Sequence, residues 1–247
     1  MNRLGRLLLF ALGGGVVSVL FVLATFDLPD FGSSIHLYRD LAVPAAVQHH
    51  TANVVSAVNF DQRAIDTFGE ETILVASVVG AAALLRPSAD ESERRAPDLG
   101  RTLESTRLVG YVLMPVTLVL GVDVVLHGGI TPGGGFQGGV VLATGLHLIY
   151  VTGTYPALER LRPVVPFEVA ESLGAAGFAL LGLLGIWTSG AFLGNFLPLG
   201  AFGQILSTGT VQVLSALVGL EVLGSMIVLL SSFFAQEISI RKAGADQ

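Results

Sequence analysis

The 247-residue sequence contains no cysteine. That excludes a disulfide framework and any thiolate metal site. Charge is also scarce: Asp, Glu, Lys and Arg together make up 13% of the chain, against 52% apolar residues, and the mean hydropathy is +0.72. This is the composition of an integral membrane protein, with room for about six spans. The formal charge of −6 says little, because most charges sit in one loop and the tails. No Ala-x-Ala cleavage signal follows the first apolar run, so Leu7–Phe26 reads as a retained span. No internal repeat is visible, which weighs against an inverted-repeat secondary transporter.

The apolar runs predict an all-α protein of six transmembrane helices. After Leu7–Phe26 comes 72–85, which is too short alone and must extend back over Asp66, Gly69, Glu70 and Glu71. The third and fourth spans are 108–127 and 136–154. A long uncharged run then breaks at its Gly/Pro-rich centre, 189–207, giving spans 167–188 and 208–234. All thirteen basic residues except Arg39 and Arg63 then fall on one side, so both termini are expected to be cytoplasmic. The charged stretch 88–107 reads as a cytoplasmic linker. It divides a two-span module, 1–87, from a four-span domain, 108–235, which a cytoplasmic tail, 236–247, follows. Residues 51–60 have the pattern of an amphipathic interfacial helix.

Ionisable side chains inside a bilayer cost several kcal/mol unless they face protein, partner or water. Glu221 lies near the centre of the sixth span, with Gly224 and Ser225 on its face. It reads as a proton or cation carboxylate, or as a protonated glutamic acid bonded to a neighbouring helix. Asp123 and His127 share one face of the third span, suiting a proton relay or an ion pair that positions the loop after it. His147 lies mid-way along the fourth span, as a relay or a packing residue. Asp66 and Glu70 enter the second span one turn apart, as an ion access site or a solvated helix end near Arg63. Glu71 beside them is a weaker candidate. Glu168 and Glu171 open the fifth span; Glu168 suits the helix dipole, and Glu171, one turn deeper, is the ion-path candidate.

Between the third and fourth spans runs a nearly side-chain-free junction, Gly133, Gly134, Gly135, Phe136, Gln137, Gly138 and Gly139. Thr131 and Pro132 fit the cap and first turn of the following helix. Its positive end would then face Asp123 and His127. Irregular backbone at membrane depth requires cover by protein or water, so a packed hinge or cavity wall is expected here. It is not a P-loop, since no Gly-Lys-Ser/Thr follows and no strand precedes it. No metal-ligand spacing and no nucleophile–base pair is present. The residues therefore imply no cofactor, no metal, no nucleic-acid partner and no enzyme chemistry of the chain's own.

The stretch His127-Gly-Gly-Ile-Thr-Pro-Gly-Gly-Gly-Phe-Gln-Gly-Gly-Val-Val-Leu-Ala143 resembles the signature of the MnhB/MrpB family, subunits of multisubunit Mrp-type cation/proton antiporters. Similar matches run through Glu171-Ser-Leu-Gly174, Gly190–Gly200, Leu206-Ser-Thr-Gly209 and Val218-Gly-Leu-Glu-Val222, over about 102–234. Separately, Asn53–Glu70 resembles the C-terminal region of the large MrpA protein, which in Mrp-related membrane-bound hydrogenases forms its own small subunit. That resemblance implies ion-translocating roles for Asp66 and Glu70, and the MrpB motif includes Pro132 and Phe136. The chain departs from the pattern by joining the two modules and by lacking the large antiporter-like helices. It is expected to be a multi-pass plasma-membrane subunit working with other subunits, lipids, monovalent cations (Na⁺) and protons. Two alternatives are the ion-pumping arm of a complex I-like respiratory or hydrogenase-type complex, and a purely structural scaffold.

Overall fold

The computed structural model describes residues 3–28, 32, 34–85, 103–152 and 164–245. The expected linker lies mostly outside them, as do the side chains of the expected tail. The chain forms two compact units, residues 1–41 and 42–247. The first unit is built on α1 (Arg3–Phe26), apolar along its length and exposed at every described residue from Leu7 to Phe26. Helix α2 (Leu37–Gln48) carries Pro44 within it and runs from the first unit into the second.

The second unit continues with α3 (Val54–Ala57), a π-helical turn (Val58–Gln62) and α4 (Ala64–Leu84). The single amphipathic helix expected over 51–60 is thus two short pieces. Then follow α5 (Glu104–Leu126), α6 (Gly135–Thr152), α7 (Val165–Ser189) and α8 (Thr210–Ala245). The described residues contain no strand, and the protein is an all-α membrane protein. Five helices are long and apolar enough to cross a bilayer; α6 is the shorter sixth. Its 18 residues reach about 27 Å, just under the hydrocarbon thickness.

Helix α8 is the axis of the unit, with 56% of its apolar window buried against 28% or less for the other four helices long enough to cross a bilayer. It packs on α4, α5, α6, α7 and the π-helical turn. A core of Phe60, Ala64, Phe178, Leu193, Val211, Leu214, Val218 and Val222 surrounds it. Phe68 stacks on Phe178 at 6.0 Å and meets Phe192 edge-on at 5.6 Å, tying α4 to α7 and to the loop after it. Helix α7 stops at Gly190, whose φ of 79° a β-carbon would oppose.

Three connections form one layer at the same end of the bundle. Asn53 donates through Nδ2 to the carbonyls of Gly128 (2.7 Å) and Thr131 (2.9 Å), and through its backbone N–H to Gly129 (3.0 Å). Ser207 donates to the carbonyl of His50 at 2.9 Å, and the His50 ring meets the carbonyl of Gly200 at 2.5 Å. Asn195 bonds the Thr210 N–H at 2.8 Å and so caps the start of α8. Helices α4, α6 and α8 therefore start in this layer, and α5 and α7 end there.

Candidate functional site

The glycine junction closes on α8. Gly133 and Gly134 adopt φ of 140° and 127°, a region that side chains avoid. From Gly135 the chain is helical, so α6 begins inside the glycine run as the spacing predicts. Thr131 does not cap it: its hydroxyl donates back to the carbonyl of His127 at 3.2 Å, and Thr131 and Pro132 are exposed. Gly135 and Gly139 lie one turn apart against α8. A β-carbon on Gly135 would stand 2.7 Å from Val218 Cβ, and one on Gly139 would stand 2.8 Å from the Gly219 carbonyl. Gly138 sits against α5, 2.9 Å from the Gly121 carbonyl by the same measure, and Phe136 packs on the core. The small residues let three backbones approach.

Asp123 and His127 form an ion pair at 3.0 Å on the outer face of α5, with side-chain exposures of 60% and 33%. Gly135 and Gly139 turn to α8, and Gly133 and Gly138 turn to Val124, Val125 and Gly121 of α5, so none of their closest contacts is with Asp123 or His127. Asp66 is exposed and paired with Arg63, and Glu70 is exposed beside it on α4. His147 is half-buried on α6, near the carbonyl of Ala143.

Three glutamates are brought together instead. Glu71 on α4, Glu171 on α7 and Glu221 on α8 are 2%, 6% and 0% exposed. The carboxyl groups of Glu71 and Glu221 face one another closely enough to share a proton, and no other group of the protein hydrogen-bonds any of their four oxygens. Glu221 lies in the field of Glu171, Glu171 in that of Glu168, and Glu71 in that of Glu70. Ser225, one turn beyond Glu221, donates to Glu171 at 3.0 Å. Glycines make the approach possible: a β-carbon on Gly174 would stand 2.6 Å from Glu221 Cβ, and one on Gly224 would stand 2.7 Å from the Glu171 N–H nitrogen. Among the described residues no group of three or more His, Cys, Asp or Glu is arranged to hold a metal ion.

Glu71, the weaker candidate beside Asp66 and Glu70 in the sequence, is the one of the three that is buried. Its signal lies in the register of α4. Ala64, Thr67, Glu71 and Val78 share the buried stripe, and Phe68, three residues before Glu71, packs on the core. Asp66 and Glu70 lie off this stripe and are exposed. A further buried polar row went unseen: the Thr208 and Ser215 hydroxyls and Gln212 Oε1 lie beneath the glycine junction without hydrogen-bond partners.

Fold and site together define a multi-pass membrane protein with acids buried between its spans. The chain belongs to the family described as a domain related to the MnhB subunit of Na⁺/H⁺ antiporters, which matches residues 105–228. An uncharacterised protein of Methanocaldococcus jannaschii is 31% identical over 211 residues, covering 77% of this chain and 80% of that protein. A Rhizobium meliloti protein described as the probable A/B subunit of a K⁺/H⁺ antiporter is also 31% identical, over 66% of this chain but only 18% of its own length. Among solved structures, one protein of the archaeal membrane-bound sulfane sulfur reductase, a respiratory membrane complex, matches with TM-score 0.68 and 27% identity. That match covers 94% of this chain and 98% of that one. One protein of the Mrp complex from Dietzia sp. DQ12-45-1b shares the fold, with TM-score 0.68 and 23% identity over 94% of this chain and 26% of its own.

Proposed function

We propose that the chain is a membrane subunit of an Mrp-type monovalent cation/proton antiporter assembly or of a related redox-driven membrane complex, and that it contributes to the ion path rather than catalysing a reaction itself. The observation that carries this reading is the meeting of Glu71, Glu171 and Glu221 between three helices, buried and largely unpaired. A scaffold gains nothing from such groups, which apolar side chains of similar volume would replace at no loss of stability. Residues 1–87 contribute the segment resembling the MrpA C-terminal region, Asn53–Glu70, and Glu71 directly after it; 108–235 contribute Glu171 and Glu221. Both termini are cytoplasmic in this reading, and the loop layer faces outward.

The redox-driven host has one observation in its favour. The chain corresponds to nearly the whole of the sulfane sulfur reductase chain but to about a quarter of the Mrp chain. Purification of the intact complex from native membranes, with identification of its subunits, tests the proposal. Antiporter-like large subunits, with or without iron–sulfur subunits, are expected. A chain that purifies alone and moves no ions would contradict it.

A further inference from the structure

We infer that Glu70, Glu71, Glu221, Glu171 and Glu168 form a single file of carboxyl groups crossing the bundle, and that a proton, not a metal cation, passes along it. The inference rests on the reading of the chain as part of an ion path. The first support is order. Glu70 and Glu71 are adjacent on α4, and Glu71 faces Glu221. From Glu221, Ser225 lies about 6 Å further along α8, Glu171 is level with Gly224 and Ser225, and Glu168 lies about 4.5 Å further along α7. The two end members are exposed and the three between them are buried. Each acid lies in the field of the next.

The second support is the orphaned oxygens. Glu71 and Glu221 are at least nine-tenths buried and face each other, and no donor from the rest of the protein reaches their oxygens. The charges that act on Glu71, Glu171 and Glu221 are all acidic. Neighbouring buried carboxylates cannot all stay ionised in a medium of low dielectric, so the file holds protons. A metal cation needs several oxygens converging on one point. These acids converge at most two at a time, Glu71 with Glu221, and no metal-holding cluster is found among the described residues.

The step from Glu221 to Glu171 is spanned by Ser225. Its hydroxyl already donates to Glu171 and lies one turn from Glu221, on the same face. When Ser225 gives its proton to the Glu171 carboxylate, its oxygen takes the proton of Glu221. One O–H bond breaks and one forms at each transfer. Glu221 is left as a carboxylate ready for the proton of Glu71, and Glu171 passes its proton to Glu168.

The test uses the intact complex in proteoliposomes, with proton flux followed by an internal pH dye. Glu71→Gln should assemble normally yet lose proton flux by about 100-fold or more, and Glu71→Asp should restore part of it. Ser225→Ala should slow the flux and Ser225→Thr recover it. In the wild type, a hydrophobic carbodiimide, which attacks protonated carboxyl groups, should label Glu71 or Glu221, with Na⁺ or K⁺ leaving the labelling unchanged. Wild-type flux in an assembled Glu71→Gln or Ser225→Ala complex would overturn the inference. So would protection from labelling by Na⁺ or K⁺, which would assign a metal cation to the file. The labelling reads the file whatever proteins co-purify, so its failure is separable from that of the proposed function.

Discussion

Substituting Gly135 by alanine tests how tightly the glycine junction closes on α8. The new β-carbon would overlap the backbone carbonyl of Ser215 and stand 2.7 Å from Val218 Cβ and 2.9 Å from the Gly219 nitrogen, where ordinary contact begins at 3.4 Å. Two of these three are backbone atoms of the central helix, so no side-chain rotation relieves them, and α6 must move away from α8 by more than half an ångström. Overpacking of this kind costs about 1–3 kcal/mol. Gly135 is the first residue of its helix, so alanine's helix propensity offsets little, and a loss of about 2–3 kcal/mol is expected. Gly139 sits inside the helix with similar contacts; there alanine regains up to about 1 kcal/mol of propensity and the net loss is smaller. Gly80, inside α4 with nothing within 4 Å of its would-be β-carbon, is the control, where alanine should be neutral or mildly stabilising. At about 2–4 °C per kcal/mol for a chain of this size, thermal unfolding of the purified chain in detergent should fall by roughly 4–12 °C for Gly135→Ala. A Gly135→Ala protein as stable as Gly80→Ala would refute the packing argument.

Other substitutions separate stability from function. Asn53→Ala removes donors to Gly128 and Thr131 and the acceptor for the Ser56 N–H; it should cost about 1–3 kcal/mol and speed hydrogen exchange across 128–131. Glu71→Met replaces unpaired buried oxygens by apolar volume, so the unfolding midpoint should hold or rise, by up to roughly 2 kcal/mol in stability, while proton flux is lost. Asp66→Asn removes an exposed pair with Arg63 and should change stability by less than about 1 kcal/mol, so a loss of transport in that variant would report a direct role for Asp66.

Much of the fold was legible because bilayer physics leaves few choices. Runs of about twenty apolar residues give helices, and each expected span has a counterpart, with α6 the short one. The glycine junction was legible as a close-packed hinge, since backbone exposed at depth must be covered. Its direction was not: which of three neighbours Gly135, Gly138 and Gly139 would meet depends on helix rotation, and two of them turned to α8 rather than to Asp123 and His127. Glu221 and Glu171 stood out in uncharged surroundings. Glu70 and Glu71 could not be ranked by hydropathy, because adjacent helical residues differ by about 100° in direction. Only the packing of Phe68 and Thr67 against the core shows that Glu71 points inward. The Ser225–Glu171 bond joins residues 54 positions apart, a pairing that no local pattern specifies.

The most direct test is proton flux by the intact complex carrying Glu221→Gln, measured in proteoliposomes alongside its protein composition. The account predicts that the complex assembles with all its partners and that proton translocation is lost. Undiminished flux in the assembled variant would contradict it, and failure of assembly with flux preserved in the remaining complex would assign Glu221 to the scaffold instead.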